Sequence, residues 1–125
     1  MIALDASALL AFLYREKGAE RVAEVADEAC ISAVNISEVL GRFARDGHDP
    51  IEVMSQIELT QLEIVPFDTQ QAALAAALVP DTSAHGFSLG DRACLALAAS
   101  RGIPALTADR AWAGLEFGIP IRLIR

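Results

Sequence analysis

The chain has 125 residues, of which 54% are hydrophobic and 22% charged, so one well-packed domain over residues 1–125 is expected and disorder is not. Its net charge is −7 with a single lysine, which argues against broad nucleic-acid binding but leaves open a nucleic acid held at one small site. No apolar run is long enough to span a membrane and no signal peptide is evident, so we expect a cytoplasmic protein.

The first half of the chain alternates short apolar runs with helical patterns. Asp5 follows an apolar run directly, so it lies at a strand end and a helix start at once. Asn35 followed by Glu38 predicts an N-terminal cap, and Pro50 suits the first turn of a helix. The predicted elements are a strand at 1–4, helices at 7–15 and 19–29, a strand at 30–33, helices at 35–47 and 50–62, and a strand at 63–67.

The second half continues the same alternation. A helix that begins near Ser88 is apolar on nearly every face, which predicts a buried helix, and Gly102 is suited to its C-terminal cap. The predicted elements are a helix at 69–79, a loop at 80–87, the buried helix, and strands at 104–107 and 121–124. Strands that alternate with helices predict an α/β fold, with a parallel sheet between two layers of helices.

Four acids fall at predicted strand ends or helix starts: Asp5, Glu38, Asp91 and Asp109. The carboxyl ends of parallel strands face one crevice, where ligands bind. Carboxylates about 4 Å apart there would repel by roughly 4 kcal/mol per pair at an effective dielectric near 20, which favours a retained proton or a bound cation. Oxygen ligands without His or Cys select Mg²⁺ or Mn²⁺.

Each acid also has a purely structural interpretation as a helix cap. Asp91 lies three residues after Ser88, which is a capping pattern, and Asp68 with Gln71 forms another. The remaining metal-binding residue types give no competing signal. Cys30 and Cys94 lie in apolar contexts and predict buried thiols, while His48 and His85 lie in predicted loops and are interpreted as surface residues.

Four sequence blocks resemble, in order, the motifs of PIN-domain nucleases: MIALDASAL at 1–9, NISEVL at 35–40, SLGDRACLALA at 88–98 and LTADRAW at 106–112. The length and the blocks are most similar to the VapC toxins of bacterial type II toxin–antitoxin systems. The resemblance covers nearly the whole chain. It implies a single PIN domain with a three-layer α/β/α fold and a mostly parallel sheet of about five strands.

The resemblance also implies a Mg²⁺- or Mn²⁺-dependent endoribonuclease that forms a homodimer and is neutralised by a VapB-type antitoxin. The implied catalytic acids are Asp5, Glu38, Asp91 and Asp109, of which Asp5, Asp91 and Asp109 are the implied metal ligands. Glu38 would orient a water or a second metal, and Thr107 would position a water or phosphate. Ser7 and Asn35 are implied supporting residues.

Binding to RNA and antitoxin has its own candidates. Arg92 and Arg110 are candidate RNA contacts, or alternatively salt-bridge partners of the adjacent acids. The candidate antitoxin groove is an apolar helix face, and core packing is the alternative for each of its residues: Leu9, Leu10, Phe12 and Leu13.

Three other classes of protein can be compared with this sequence. A phosphoaspartate receiver domain needs an acid pair after the first strand and a late lysine, whereas Lys17 is the only lysine. A haloacid-dehalogenase-type phosphatase needs D-x-D, whereas this chain has Asp5-Ala6-Ser7. A non-catalytic PIN-like module that acts only by binding a protein partner is the alternative that stays open.

Overall fold

The computed structural model describes residues 1–115 and 118–125, and it contains a five-stranded sheet with helices on both faces. The strands are β1 (Ile2–Leu4), β2 (Ala29–Ser32), β3 (Glu63–Val65), β4 (Ala105–Thr107) and β5 (Ile121–Leu123). The helices are α1 (Ala6–Leu13), α2 (Ala19–Val25), α3 (Ala33–Arg45), α4 (Pro50–Glu58), α5 (Thr69–Ala77), α6 (Val79–Thr82) and α7 (Leu89–Arg101). No helix in the described ranges is long and apolar enough to cross a membrane.

All the strand pairings are parallel, and the strand order is β3-β2-β1-β4-β5. The chain therefore moves outward from β1 to β3, crosses to the other side of β1, and continues outward through β4 to β5. The order reverses between β1 and β4, where Leu4 pairs with Leu106. Open parallel sheets bind ligands at such a reversal, beyond the carboxyl ends of the strands. The expectation of about five mostly parallel strands is confirmed.

Alternating strand residues divide the core into two layers. Ile2 and Leu4 face a cluster built on α1 to α4, whereas Ala3 faces a cluster built on α7. Helix α7 is buried on every side along residues 93–98, each at most 1% exposed, as its apolar sequence predicts. Gly102 ends it with φ +63°, as expected for a C-terminal cap. The predicted three-layer α/β/α arrangement is confirmed.

The predicted cap of α3 is wrong. The helix begins at Ala33, and its cap is Ser32, whose side chain accepts a hydrogen bond from the Val34 backbone N–H. The chain passes from β2 into α3 without a loop, so Asn35 lies inside the helix. Asn35 and Glu38 are thereby free to interact as neighbours one turn apart.

The predicted loop at 80–87 is also wrong, since it contains most of α6 and a 3₁₀ turn at Ser83–His85. Pro80 lies in the first turn of α6, where its missing N–H costs nothing. Helix α4 ends at Glu58 rather than near residue 62, because the Thr60 hydroxyl and N–H both donate to the Ile57 carbonyl. The other boundaries lie within a few residues of the prediction.

Substitution of Gly18 tests how closely the turn between α1 and α2 packs against Ile124, next to β5. It has φ +96°, and an added Cβ would lie 2.7 Å from the Ile124 backbone oxygen. Gly18→Ala should lower the free energy of unfolding by roughly 2–4 kcal/mol in urea denaturation, because positive φ and backbone overlap add together.

Gly47 is the matched control, since it has φ +93° but nothing within 4 Å of an added Cβ. Gly47→Ala should cost about 1 kcal/mol, from the backbone conformation alone. Equal losses in the two variants would contradict the close approach at Ile124.

Candidate functional site

The candidate site lies where the strand order reverses between β1 and β4. Asp5 follows β1 directly and Thr107 is the last residue of β4. The Asp5 backbone N–H donates to the Leu106 carbonyl at 3.1 Å, which continues the ladder between the two strands. Strand pairing therefore fixes the position of the Asp5 side chain beside that of Thr107.

Asp5 is only 4% exposed, and its carboxylate accepts three hydrogen bonds. Oδ1 accepts from the Ser7 hydroxyl at 2.7 Å and from the Ala8 backbone N–H at 2.9 Å. Oδ2 accepts from the Thr107 hydroxyl at 2.7 Å. The bond from Ala8 makes Asp5 the cap of α1, so the structural and functional interpretations of this acid hold together.

The two hydroxyls also tie the carboxylate to the turn after β4. The Ser7 oxygen accepts from the Ala108 N–H at 2.9 Å, and the Thr107 oxygen accepts from the Asp109 N–H at 3.0 Å. Each hydroxyl has one proton, and each has the Asp5 carboxylate as a partner at 2.7 Å. Because Thr107 is wholly buried and its proton is used in this way, the geometry favours a role in orienting Asp5.

Burial raises the pKa of Asp5 from 3.8 to about 6, against the lowering effect of its hydrogen bonds from Ser7, Thr107 and Ala8. The negative charge of Asp91 raises this pKa slightly further. A shift of this size means that the ionised form of Asp5 is less stable in the folded protein than in water, by roughly 3 kcal/mol at neutral pH. Neutralisation of Asp5 by a proton or a cation would relieve it.

Asn35 links α3 to α7 through its buried side-chain amide. Its Nδ2 donates to Glu38 Oε1 and to the Gly90 backbone oxygen, each at 2.9 Å. The Glu38 carboxylate lies against Gly90, whose added Cβ would overlap its atoms. Glu38 is thereby brought next to the residue that precedes Asp91.

Asp91 and Asp109 use part of their carboxylates as caps. Asp91 Oδ2 accepts from the Ser88 N–H at 2.9 Å, and the Ser88 hydroxyl accepts from the Asp91 N–H, which confirms the predicted capping box of α7. Asp109 is exposed, and its Oδ1 accepts from the Ala111 N–H at the start of a 3₁₀ turn. Each leaves its other carboxylate oxygen for further contacts.

The pKa of the buried Cys94 thiol, in α7, is affected by several of the predicted acids. Burial first, and then the charges of Asp5, Cys30, Asp91 and Glu38, raise the pKa of its thiol well above the usual value. Asp5, Asp91 and Glu38 therefore each act on this buried thiol. The Asp109 N–H donates to the Thr107 hydroxyl oxygen, and the Thr107 hydroxyl donates to Asp5.

The chemistry of these donors fits a hard divalent cation. Asp5 uses three of the roughly four acceptor positions of a carboxylate, and one remains on Oδ2. Within residues 1–115 and 118–125, no group of three or more His, Cys, Asp or Glu side chains could hold an ion as they stand. Mg²⁺ is commonly bound by only one or two carboxylates and keeps several of its waters, so this arrangement suits it.

A model of the PIN domain family matches residues 2–118. The chain belongs to the PIN domain family. A toxin–antitoxin complex from Klebsiella pneumoniae has a similar fold, with 18% identity over 100% of this chain and 98% of that chain and a TM-score of 0.75. DNA-bound VapBC from Salmonella typhimurium is 21% identical over 99% of this chain and 98% of that chain, with a TM-score of 0.73.

A further similar structure is that of VapC20 from Mycobacterium tuberculosis, a sarcin–ricin loop cleaving toxin. It is 19% identical over 96% of this chain and 99% of that chain, with a TM-score of 0.77. No curated protein sequence matches the chain. These likenesses agree with the fold of this PIN domain.

The two arginines predicted to contact RNA, or else to form salt bridges with the adjacent acids, do not pair with those acids. Arg92 Nη1 donates to the Phe87 carbonyl at 2.8 Å, and Arg110 Nη1 donates to the Arg125 carbonyl at 3.2 Å. Neither takes part in an ion pair within the described residues. Salt bridging to the neighbouring acids is therefore not what positions these arginines.

The predicted apolar face of α1 lies partly in the core and partly along a cavity of about 280 Å³. Leu9, Phe12 and Leu13 line the cavity, together with Leu59 from the segment after α4, whereas Leu10 packs against the core beside it. Cys30 and Cys94 are buried and His48 and His85 are exposed, as predicted.

Gly90 is the residue of the site that sequence reasoning missed, although it stands in the SLGDRACLALA block. A glycine in the first turn of a long helix was the available signal, because alanine is favoured there unless space is lacking. The space in question is filled by Glu38, more than fifty residues away in the chain.

Asp5→Asn should make this PIN domain more stable at neutral pH. The folded state binds the Asp5 proton with a pKa of about 6, against 3.8 when unfolded, so this group lowers stability as pH rises from about 4 to 6. We expect a gain of about 1–3 kcal/mol in urea denaturation at pH 7.5 in EDTA, which shrinks at pH 4.5.

The control is Asp68→Asn. Asp68 caps α5 through the Gln71 N–H but is exposed, so its replacement should change stability by only a few tenths of a kcal/mol at either pH. A stability difference between Asp5→Asn and the parent that is the same at pH 7.5 and at pH 4.5 would contradict a raised pKa of Asp5.

Proposed function

We propose that this PIN domain is a Mg²⁺- or Mn²⁺-dependent endoribonuclease, the toxin of a type II toxin–antitoxin pair, neutralised by a VapB-type antitoxin. The observation that carries the proposal is the buried Asp5 carboxylate at the reversal of the strand order, where the Ser7 and Thr107 hydroxyls hold it by hydrogen bonds. A buried acid with a raised pKa at the ligand-binding edge of the sheet is more typical of a functional site than of a protein-binding surface.

The fold likeness to VapBC and other toxin–antitoxin structures supports the class of activity and partner. VapC20 is a sarcin–ricin loop cleaving toxin, which supports RNA as the substrate class. Similar structures include a toxin–antitoxin complex and a member of the VapBC family of toxin–antitoxin systems, which supports an antitoxin as partner. We also propose that the protein forms a homodimer, as its resemblance to VapC toxins implies.

In the proposed mechanism Asp5, Asp91 and Asp109 would be direct or water-mediated ligands of the cation, and Glu38 would orient a water or a second metal. When bound, such a cation would supply Lewis-acid chemistry, with activation of a water and neutralisation of charge on the phosphate. The chain's own residues prepare the site for it. Ser7 and Thr107 hold the Asp5 carboxylate by hydrogen bonds, so the acid needs no reorganisation when the reaction begins.

Ionisation of Asp5 sets the lower pH limit of the proposed reaction. With a pKa of about 6, Asp5 is mostly charged at pH 7 and above but mostly protonated at pH 5. A protonated carboxyl cannot serve as a cation ligand. Activity at a fixed, sub-saturating Mg²⁺ concentration should therefore fall as pH is lowered through this range.

We propose that the antitoxin binds in the cavity along α1. Leu9, Phe12, Leu13 and Leu59 give it an apolar lining, which suits the apolar face of an amphipathic helix. Arg92 and Arg110 remain proposed RNA contacts, since neither is neutralised by an acid within the described residues.

Asp91→Asn should abolish cleavage while leaving the fold intact. Purified protein is incubated with total tRNA and rRNA in Mg²⁺, Mn²⁺ or EDTA, and we expect fragments that require metal and fall at least 100-fold in the variant. Asp68→Asn should retain full activity, because Asp68 is also a capping acid but lies on α5.

Fragments that persist in EDTA would overturn the metal-dependent mechanism. Metal-dependent cleavage that survives Asp91→Asn would overturn the proposed site. Absence both of cleavage and of Mn²⁺ binding would instead favour a non-catalytic module that acts through its protein partner.

Leu59→Asp should weaken binding to the cognate VapB-type antitoxin at least tenfold in calorimetry. Leu59 is 87% exposed and lines the cavity, so a charge there disturbs the partner rather than the fold. Ile51→Asp is the control, because Ile51 is 76% exposed on α4 but lies outside this cavity. Equal losses of affinity in both variants would place the antitoxin elsewhere.

A further inference from the structure

The side chain of Asn35 is 1% exposed and bridges two helices with one amide group. Its Nδ2 donates to Glu38 Oε1, within α3, and to the Gly90 carbonyl, in the first turn of α7. Both partners are acceptors, so the amide nitrogen rather than the oxygen must face them. The orientation of Asn35 is thereby fixed, and with it the position of the Glu38 carboxylate.

Gly90 supplies the space into which that carboxylate fits. An added Cβ at Gly90 would overlap Oε1, Cδ and Oε2 of Glu38, all three atoms of the carboxylate. Gly90 has no positive φ, so the backbone of α7 does not require glycine there. Glycine inside a helix lowers its stability relative to alanine. The choice of glycine at position 90 is therefore explained by the space that the Glu38 carboxylate occupies, and not by the conformation of the helix.

Gly41 shows that the two helical glycines differ in this respect. It lies exposed in α3, and an added Cβ there meets nothing within 4 Å. The same substitution at both positions thus changes helix propensity alike but adds a steric conflict only at Gly90.

We propose that Gly90 and Asn35 are positioning residues that seat the Glu38 carboxylate on the first turn of α7, next to Asp91. Gly90 leaves the room and Asn35 supplies the hydrogen bond that holds Oε1, so that Oε2 stays available at the site. The carboxylate then lies at the positive end of the α7 dipole, which lowers the cost of a second acid beside Asp91. The inference rests on the proposed function for its catalytic consequence, but the seating itself is a property of the fold.

A double-mutant cycle tests the seating without any activity measurement. Gly90→Ala is made in the parent and in Glu38→Ala, and urea midpoints are measured in EDTA with Gly41→Ala as the reference. We expect Gly90→Ala to raise the midpoint in the Glu38→Ala background as Gly41→Ala does in the parent, and to raise it less, or lower it, in the parent. Equal shifts in both backgrounds would overturn the proposal.

The catalytic consequence is measured with the RNA panel and metals described above. Gly90→Ala should reduce kcat/KM about 10- to 100-fold, mainly through kcat, and should have no further effect in the Glu38→Ala background. Asn35→Ala should behave in the same way, while Gly41→Ala keeps the parent's activity. An undiminished effect of Gly90→Ala in the absence of Glu38 would show that Gly90 acts by another route.

The two proposals can fail separately. A parent protein that cleaves no RNA defeats the proposed function, yet the stability cycle still decides whether Gly90 seats Glu38. An active parent whose stability cycle shows no coupling retains the proposed function and loses the seating.

Discussion

A buried, ionised carboxylate is the constraint on which the rest of this structure depends. Removing a charge from water costs several kcal/mol unless donors surround it, and Asp5 receives three of them. The donors come from the first turn of α1 and from the end of β4, so the site needs both the helix cap and the strand pairing. A one-residue slip between β1 and β4 would turn Thr107 to the other face of the sheet and leave Asp5 unsupported.

The acids of the site also begin helices or turns, and this explains how the fold tolerates them together. Asp5, Asp91 and Asp109 each accept a backbone N–H at the start of a helix or turn. The exposed N–H groups at such ends favour negative charge. Each acid therefore has a local stabilising contact that offsets part of its repulsion from the others. Local stability and site assembly draw on the same side chains, so neither interpretation of an acid excludes the other.

The sequence predicts features that depend on local periodicity and misses those that depend on distant contacts. The buried helix after Ser88, the alternation of strands and helices, and the acids at strand ends follow from neighbouring residues, as does the capping box. The start of α3 was mistaken because Ser32 ends a strand and caps a helix at once. Gly90 could not be interpreted from its neighbours, since the group that needs its space comes from α3. The raised pKa of Asp5 likewise depends on burial, which only the folded chain provides.

The excess of acids has opposite consequences for the two proposed ligands. A net charge of −7 attracts a divalent cation but repels an RNA backbone, so long-range attraction cannot supply the affinity for RNA. Each phosphate contact contributes about 0.7–0.9 to the slope of log affinity against log salt concentration, and few basic groups are available here. An RNA bound by this chain must then be recognised through a small number of directed contacts close to the acids. A cation bound as proposed above would link the two, because it would neutralise acids at the point where a phosphate must approach. The negative charge that makes this chain a poor general RNA binder therefore also favours the divalent cation proposed at this edge of the sheet.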